Sequence, residues 1–317
     1  MNVLVTGASG FLGRALIDRL SKATVHHVKG SVRKFDNEAV DSNHTVAVGD
    51  LSAGTDWSEA LKGVEVVVHL AARAHVLDAR NDQSEFYRVN VEGAVNLAEQ
   101  ALKSGVKRFI FISSIGVNGA YTEGSGFDES SPDAPHAIYA ESKRKAEELL
   151  WHLVQGSSME LVIIRPPLVY AAHAPGNFQR LLKLVASGAP LPFAMTDNKR
   201  SMVSLSNLTQ FIDLCIDHPA AANELFLISD GDDVSTKDIV KLLAEGMGQR
   251  ARLFPVPAPI ARVCSFMLGK TSLYTQLFRS LVIDSSKARR LLGWAPQQSS
   301  SVALKEAGLR YKSGRSV

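Results

Sequence analysis

Tyr139 and Lys143 stand four residues apart in the run Ile138 to Leu150, IYAESKRKAEELL. In a helix that spacing brings both side chains to one face, about one turn from each other. The run favours a helix, since Ala, Glu, Lys, Arg and Leu fill it and no Gly or Pro interrupts it. An ammonium beside a phenol favours the phenolate, so the pair predicts a tyrosine brought down from about 10 toward neutral pH. Such a group gives or takes a proton at a substrate oxygen. The same spacing also fits an ordinary solvated helical face, and what separates the two readings is the company the pair keeps.

The chain has 317 residues, 45% hydrophobic and 21% charged, enough for one large domain or two unequal ones. A formal charge of +3 without a long block of like charge gives no reason to expect nucleic acid. Cys215 and Cys264 lie far apart in apolar surroundings without metal-like spacing, which predicts two buried free thiols in a reducing compartment. The N-terminus runs directly into Asn2-Val3-Leu4-Val5-Thr6, no run reaches the length of a membrane span, and a cytoplasmic protein is expected.

Val3 to Thr6 is a short β-prone run that feeds Gly7-Ala8-Ser9-Gly10-Phe11-Leu12-Gly13, after which Ala15, Leu16, Ile17 and Leu20 recur at helical spacing. Strand, glycine turn and helix in that order suit the pyrophosphate of a dinucleotide: Gly7 for the tight turn, Gly10 for close approach of the phosphates, Gly13 for close packing of helix on strand. A second strand is read over Val25 to Val32 and a third over Val46 to Leu51. At the end of the second strand an acidic residue would hold a ribose 2′-hydroxyl, whereas a basic one accommodates a 2′-phosphate. Ser31, Arg33 and Lys34 stand there, so NADP(H) is favoured, with NAD(H) as the alternative because Asp36 is close. Val64 to Leu70 reads as a buried parallel strand leading to Ala71-Ala72-Arg73, Arg108 to Ser113 as another ending in Ser113-Ser114, and Leu161 to Ile164 as a third running into RPPLVY. The polar segment Val117 to Ala137 reads as a surface loop placed to lie over a substrate. The regular alternation lapses after about residue 171, predicting an α/β fold of the Rossmann type, a doubly wound parallel sheet over 1–171, with a smaller mixed substrate lobe over 172–317 that returns some segments to the first.

The GxxGxxG spacing with Tyr139 and Lys143 downstream resembles the short-chain dehydrogenase/reductase superfamily, in its extended branch of sugar-nucleotide epimerases, dehydratases and reductases, over essentially the whole chain. The resemblance implies that Ser114, twenty-five positions before Tyr139, hydrogen-bonds the reacting oxygen, with Ser113 as the neighbouring alternative. It implies cofactor contacts at Gly7, Ser9, Gly10, Phe11, Leu12, Gly13, Arg33, Lys34, Asp50, Leu51, Ala71, Ala72, Asn90 and Pro166 besides the Tyr–Lys pair. Asn177, Arg200 and Arg279 are the implied substrate contacts, the arginines on a diphosphate. Alanines at 171 and 172 depart from the glycine usual after the RPxxxY exit. Ile115 and Gly116 stand where a 4,6-dehydratase has acidic residues, which argues against dehydration.

RSMVSLSN, RPPLVY and SDGDDVST together resemble bacterial reductases of UDP-4-keto-6-deoxy-N-acetylhexosamines that supply surface polysaccharide, the O-antigen of lipopolysaccharide. The expectation is therefore an NADPH-dependent 4-ketoreductase on a UDP-linked sugar. An NAD-dependent UDP-hexose 4-epimerase is the enzymatic alternative, and an NADP-sensing regulator with a reductase fold the non-enzymatic one. No metal site is expected, Asp230 to Asp233 being read as a solvated turn, and a homodimer through the two long helices is implied by the resemblance.

Overall fold

The computed structural model describes residues 1–23, 25–35, 44–74 and 83–314. The chain opens with β1 (Asn2–Thr6), α1 (Phe11–Ala23), β2 (His27–Val32), β3 (Thr45–Ala47) and β4 (Val66–His69), then α2 (Gln83–Tyr87), α3 (Gly93–Lys103) and β5 (Arg108–Ile112). It continues through α4 (Ile138–Val154), β6 (Glu160–Arg165), β7 (Leu168–Tyr170), α5 (Asn177–Ala186), β8 (Met202–Ser204), α6 (Leu205–Asp217) and β9 (Glu224–Leu227). The last part is helical: α7 (Thr236–Gly246), α8 (Ala258–Met267), α9 (Thr271–Phe278), α10 (Ser286–Leu292) and α11 (Ser300–Ser313).

Among the described residues, seven strands form one sheet in the order β3-β2-β1-β4-β5-β6-β9, every pair parallel. The order reverses between β1 and β4, so the crevice at their C-terminal ends is the switch point where an open α/β sheet binds ligands. Strand alternation splits the core between the two faces: Val3 and Val5 of β1 join Leu16, Leu20, Phe211 and Ile212 on the α1 and α6 side. Leu4 joins Val67, Phe109, Leu97, Ala98 and Leu150 on the α3 and α4 side. A further core gathers Tyr170, Phe178, Leu182, Val240, Leu243 and Leu304, where α5, α7 and α11 pack beside the short parallel pair β7–β8.

Several expectations need correction. The second strand begins at His27 and the third ends at Ala47, so Asp50 and Leu51 lie in the turn beyond it. Cys215 is buried, but Cys264 is exposed on α8. Asp230 is not part of a solvated turn: it is buried and accepts hydrogen bonds from Tyr170 Oη at 2.7 Å, Asn207 Nδ2 at 2.7 Å and Ser204 N at 3.0 Å, tying β7, β8 and α6 together. The 117–137 segment is a loop, as expected, but a tethered one. Thr122 N, Phe127 N and Asp284 N bond the carbonyls of Ser280, Val282 and Phe127, which stitches it to the 280–284 segment. Among the described residues no group of His, Cys, Asp and Glu forms a metal cluster, and no helix is long and apolar enough to cross a membrane.

Candidate active site

β1 delivers the chain into the glycine turn at the C-terminal edge of the sheet. Gly7 has φ +68°, and a Cβ there would lie 3.0 Å from the Cα and N of Ala71, so both conformation and space demand glycine. A Cβ on Gly13 would lie 2.2 Å from the Gly7 carbonyl oxygen, which is how α1 comes down directly on the turn. Gly10 N donates to Gly7 O at 2.9 Å and Gly10 O accepts from Arg14 N, so helical bonding starts with Phe11. The N–H groups of Phe11, Leu12 and Gly13, lacking intrahelical acceptors, and the exposed Ser9 and Gly10 make a cradle of the kind a phosphate anion fits.

The same edge is fastened by a buried threonine. Thr6 Oγ1 accepts from Leu70 N and Ala71 N at 3.2 Å each and meets His69 Nδ1 at 2.8 Å. With two N–H groups donating into the oxygen, the hydroxyl proton is the one that goes to His69 Nδ1. Burial lowers His69 to about 3, keeping the ring neutral, and its Nε2 is buried without a partner. Ala71 is thereby held against Gly7.

Arg33 and Asp50, expected to contact the cofactor from separate strands, are paired with each other at 3.1 Å, both exposed, and Lys34 is exposed beside them. Asp36 lies outside the described residues. Leu51 packs where a Cβ of Gly93 would fall, at 3.1 Å, and its carbonyl accepts from Arg88 at 3.1 Å. Asn90 lies in a π-helical turn, Arg88–Glu92, and is buried. Its amide makes three hydrogen bonds: Oδ1 accepts from Arg73 N at 2.8 Å, and Nδ2 donates to Arg73 O at 3.1 Å and Ser142 Oγ at 2.9 Å. Ser142 Oγ in turn donates to Tyr139 O. Asn90 thus positions the 71–73 segment against α4.

Tyr139 occupies the first turn of α4, half-buried, and Lys143 is buried one turn on. Lys143 Nζ donates to Ile112 O at 2.8 Å and sits 4.4 Å from the Phe111 ring centroid. Burial draws the Lys143 ammonium down to about 7, opposed by the nearby Glu147 carboxylate, and pushes the Tyr139 phenol up to about 12. This reverses the expected effect. Burial is the cause of both shifts.

Ser114 follows β5 and accepts from Gly116 N at 3.1 Å, which leaves its own hydroxyl proton to donate elsewhere. A Cβ on Gly116 would fall 3.3 Å from Ser114 Oγ and 3.4 Å from Ala140 Cβ, so Ser114 stands against the turn of α4 that carries Tyr139. Ser113, the alternative, is buried with its Oγ unpartnered. Pro166 is buried at the exit of β6, its carbonyl accepting from Ile115 N at 3.0 Å, so the ends of β5 and β6 are laced together.

One group escaped the sequence reading. Arg165, at the end of β6, is buried against Glu147 of α4 and also bonds Asn118 Oδ1 at 2.9 Å and Asp133 Oδ1 at 3.0 Å. Its partners are 18, 47 and 32 positions away, so no local pattern announces the cluster. It pins the helix bearing Tyr139 and Lys143 to the sheet.

The expected substrate contacts lie on other elements. Asn177 Nδ2 donates to Gln276 Oε1 at 2.6 Å, joining α5 to α9. Arg279 stacks 3.9 Å over the Tyr121 ring and pairs with Glu123. Arg200 donates to Arg279 O at 3.3 Å, and burial lowers it to about 10. Among the described residues no carboxylate pairs with Arg200.

A doubly wound parallel sheet with a glycine turn after β1 and a Tyr–Lys pair on the helix after β5 defines the class, and comparison with known proteins agrees. The profile of the NAD dependent epimerase/dehydratase family matches residues 3–229, and the chain belongs to that family. It is 44% identical over 314 residues to a UDP-glucose 4-epimerase of Vibrio cholerae, covering 98% of this chain and 95% of that protein. It is 30% identical to an N-acetyl-α-D-glucosaminyl-diphospho-ditrans,octacis-undecaprenol 4-epimerase of Escherichia coli O157:H7, covering 85% and 80%. The fold matches that of UDP-glucuronic acid 4-epimerase from Bacillus cereus in complex with NAD, with TM-score 0.79, 23% identity and 99% of each chain covered. Both relatives are named as 4-epimerases, which corrects the expected nearness to 4-ketoreductases.

Proposed function

We propose that this protein is an NAD-dependent 4-epimerase of a UDP-linked hexose. The observation that carries the reading is the 44% identity, over nearly the whole of both chains, to a protein named for that reaction. The family description supports NAD, and so does the Arg33–Asp50 pair, since a 2′-phosphate approaching Arg33 would also meet the Asp50 carboxylate.

The glycine cradle, Ala71, Ala72 and Pro166 would hold the dinucleotide. NAD, when bound, supplies the acceptor for the C4 hydride and returns it to the opposite face. Tyr139 takes the proton of the C4 hydroxyl as the ketone forms and gives it back as the carbon is reduced, so no proton or electron pair is gained overall. Ser114 donates its hydroxyl to the same oxygen, its acceptor capacity being partly used by Gly116 N. Lys143, poised near neutrality by burial, is charged whenever an anionic phenolate forms beside it, because each stabilises the other. Arg200, a desolvated cation without a carboxylate, awaits the diphosphate.

The test is to incubate the protein with UDP-glucose or UDP-N-acetylglucosamine and catalytic NAD. NMR should show the C4 epimer growing to equilibrium while absorbance of reduced nicotinamide stays flat. Stoichiometric oxidation of NADPH by a UDP-4-keto-6-deoxy-N-acetylhexosamine, without epimer from either hexose, would make it a 4-ketoreductase instead.

A further inference from the structure

α8 is built inside out. Its half-buried positions are the small Ala261 and Ser265, while Ile260, Val263, Cys264 and Met267 form a stripe facing solvent. Phe266 and Leu268 flank that stripe. Val263 is 58% exposed, Phe266 75% and Met267 79%, and no residue of α8 or α9 is buried. Exposed Phe254 precedes the helix and exposed Leu273 follows it. An amphipathic helix packs its large apolar side chains on the core, and one that turns them outward marks a contact surface.

The charges around it have one sign. From residue 246 to residue 283 there is no Asp or Glu, while Arg250, Arg252, Arg262, Lys270 and Arg279 are basic. Arg250, Arg252, Arg262 and Lys270 are exposed, and no ion pair engages them among the described residues. Arg262 and Phe266, four apart, share one edge of the apolar stripe, where a cation reaches headgroups while its neighbour enters the acyl boundary. A second copy of this chain would set these cations against themselves. An anionic lipid surface complements both the apolar stripe and its charge.

We propose that α8 docks the protein on anionic membrane, its Ile260–Met267 stripe in the headgroup region and Arg262 and Lys270 on lipid phosphates. The surface does not involve the cradle or Tyr139, so it stands whether or not the epimerase reading does.

Flotation of the full-length protein with vesicles of phosphatidylglycerol and phosphatidylcholine in equal parts, against phosphatidylcholine alone, tests it. Partition should be roughly tenfold stronger on the anionic vesicles and fall with salt. A double variant, F266S with M267S, should lose roughly tenfold or more of that partition. R262E with K270E should abolish the preference for anionic lipid. Both pairs are exposed, so thermal midpoints should match the parent. Absence of binding to anionic vesicles at low salt overturns the proposal, as does binding that survives F266S with M267S. A dimer by light scattering that the same double variant dissociates also overturns it, since a second copy would then cover the helix.

Discussion

Lys143→Met isolates the energetic consequence of placing an ammonium in the sheet edge. Free lysine titrates at 10.5 and burial lowers Lys143 to about 7, so between those values the unfolded chain binds more protons than the folded one. Stability of the parent therefore rises with pH across that window. At about 1.36 kcal/mol per pH unit, the charged side chain opposes folding by about 5 kcal/mol at pH 6 and by about 2 kcal/mol at pH 9. Methionine keeps the length of the side chain and abolishes the charge, but forfeits the bond to Ile112 O, a loss of about 1–3 kcal/mol at either pH. The variant should be more stable than the parent at pH 6 by about 2–4 kcal/mol and close to it at pH 9. The difference between the two comparisons, about 3 kcal/mol, does not depend on the hydrogen bond or on other titrating groups common to both proteins. Urea unfolding followed by circular dichroism at the two pH values measures it. Equal destabilisation of K143M at pH 6 and pH 9 would refute the picture of a desolvated ammonium, whatever happened to activity.

Tyr139→Phe should lower turnover by about 10²- to 10⁴-fold with NAD affinity unchanged by calorimetry; turnover within tenfold of the parent would show that another group carries the proton. Arg200→Met should raise KM for the nucleotide sugar by about ten- to a hundredfold with kcat nearly constant, and should not lower the thermal midpoint because no carboxylate is left unpaired. Unchanged KM would remove Arg200 from the diphosphate. Glu147→Gln leaves Arg165 buried with Asp133 and Asn118 only, and should cost about 3 kcal/mol in urea unfolding. A change below about 0.5 kcal/mol would mean that the pair does not hold α4 to β6.

What could be read in the sequence was what neighbouring residues decide together. Gly7, Gly10 and Gly13 announce the cradle because strand, turn and helix are contiguous, and the apolar runs announce β1, β4, β5 and β6 for the same reason. The environment of the pair on α4 was not legible. Ile112 O and the Phe111 ring reach Lys143 from β5, thirty-one and thirty-two positions away, and burial raises the Tyr139 phenol where the pair alone predicts a lowered one. The contacts of Asn90 with Arg73 and Ser142, and the ion pair of Arg33 with Asp50, join residues that no local pattern in the sequence connects. Arg200 is the opposite case, a candidate strengthened because the fold gives it no carboxylate.

The wall beside Ser114 narrows the chemistry further. Ile115 is buried, and a Cβ on Gly116 would lie 3.3 Å from Ser114 Oγ and 3.4 Å from Ala140 Cβ, so neither position after Ser114 offers a carboxylate. Elimination of water from a sugar needs an acid and a base on two carbons at once. On the proposed reading one phenol and one hydroxyl serve one oxygen, and the buried carboxylate of α4, Glu147, is spent on Arg165. That reading confines proton transfer to a single oxygen and hydride transfer to its carbon. Epimerisation and reduction share that restriction and differ in whether the hydride returns to the sugar from the same nicotinamide, which is why retention of NAD through turnover decides between them.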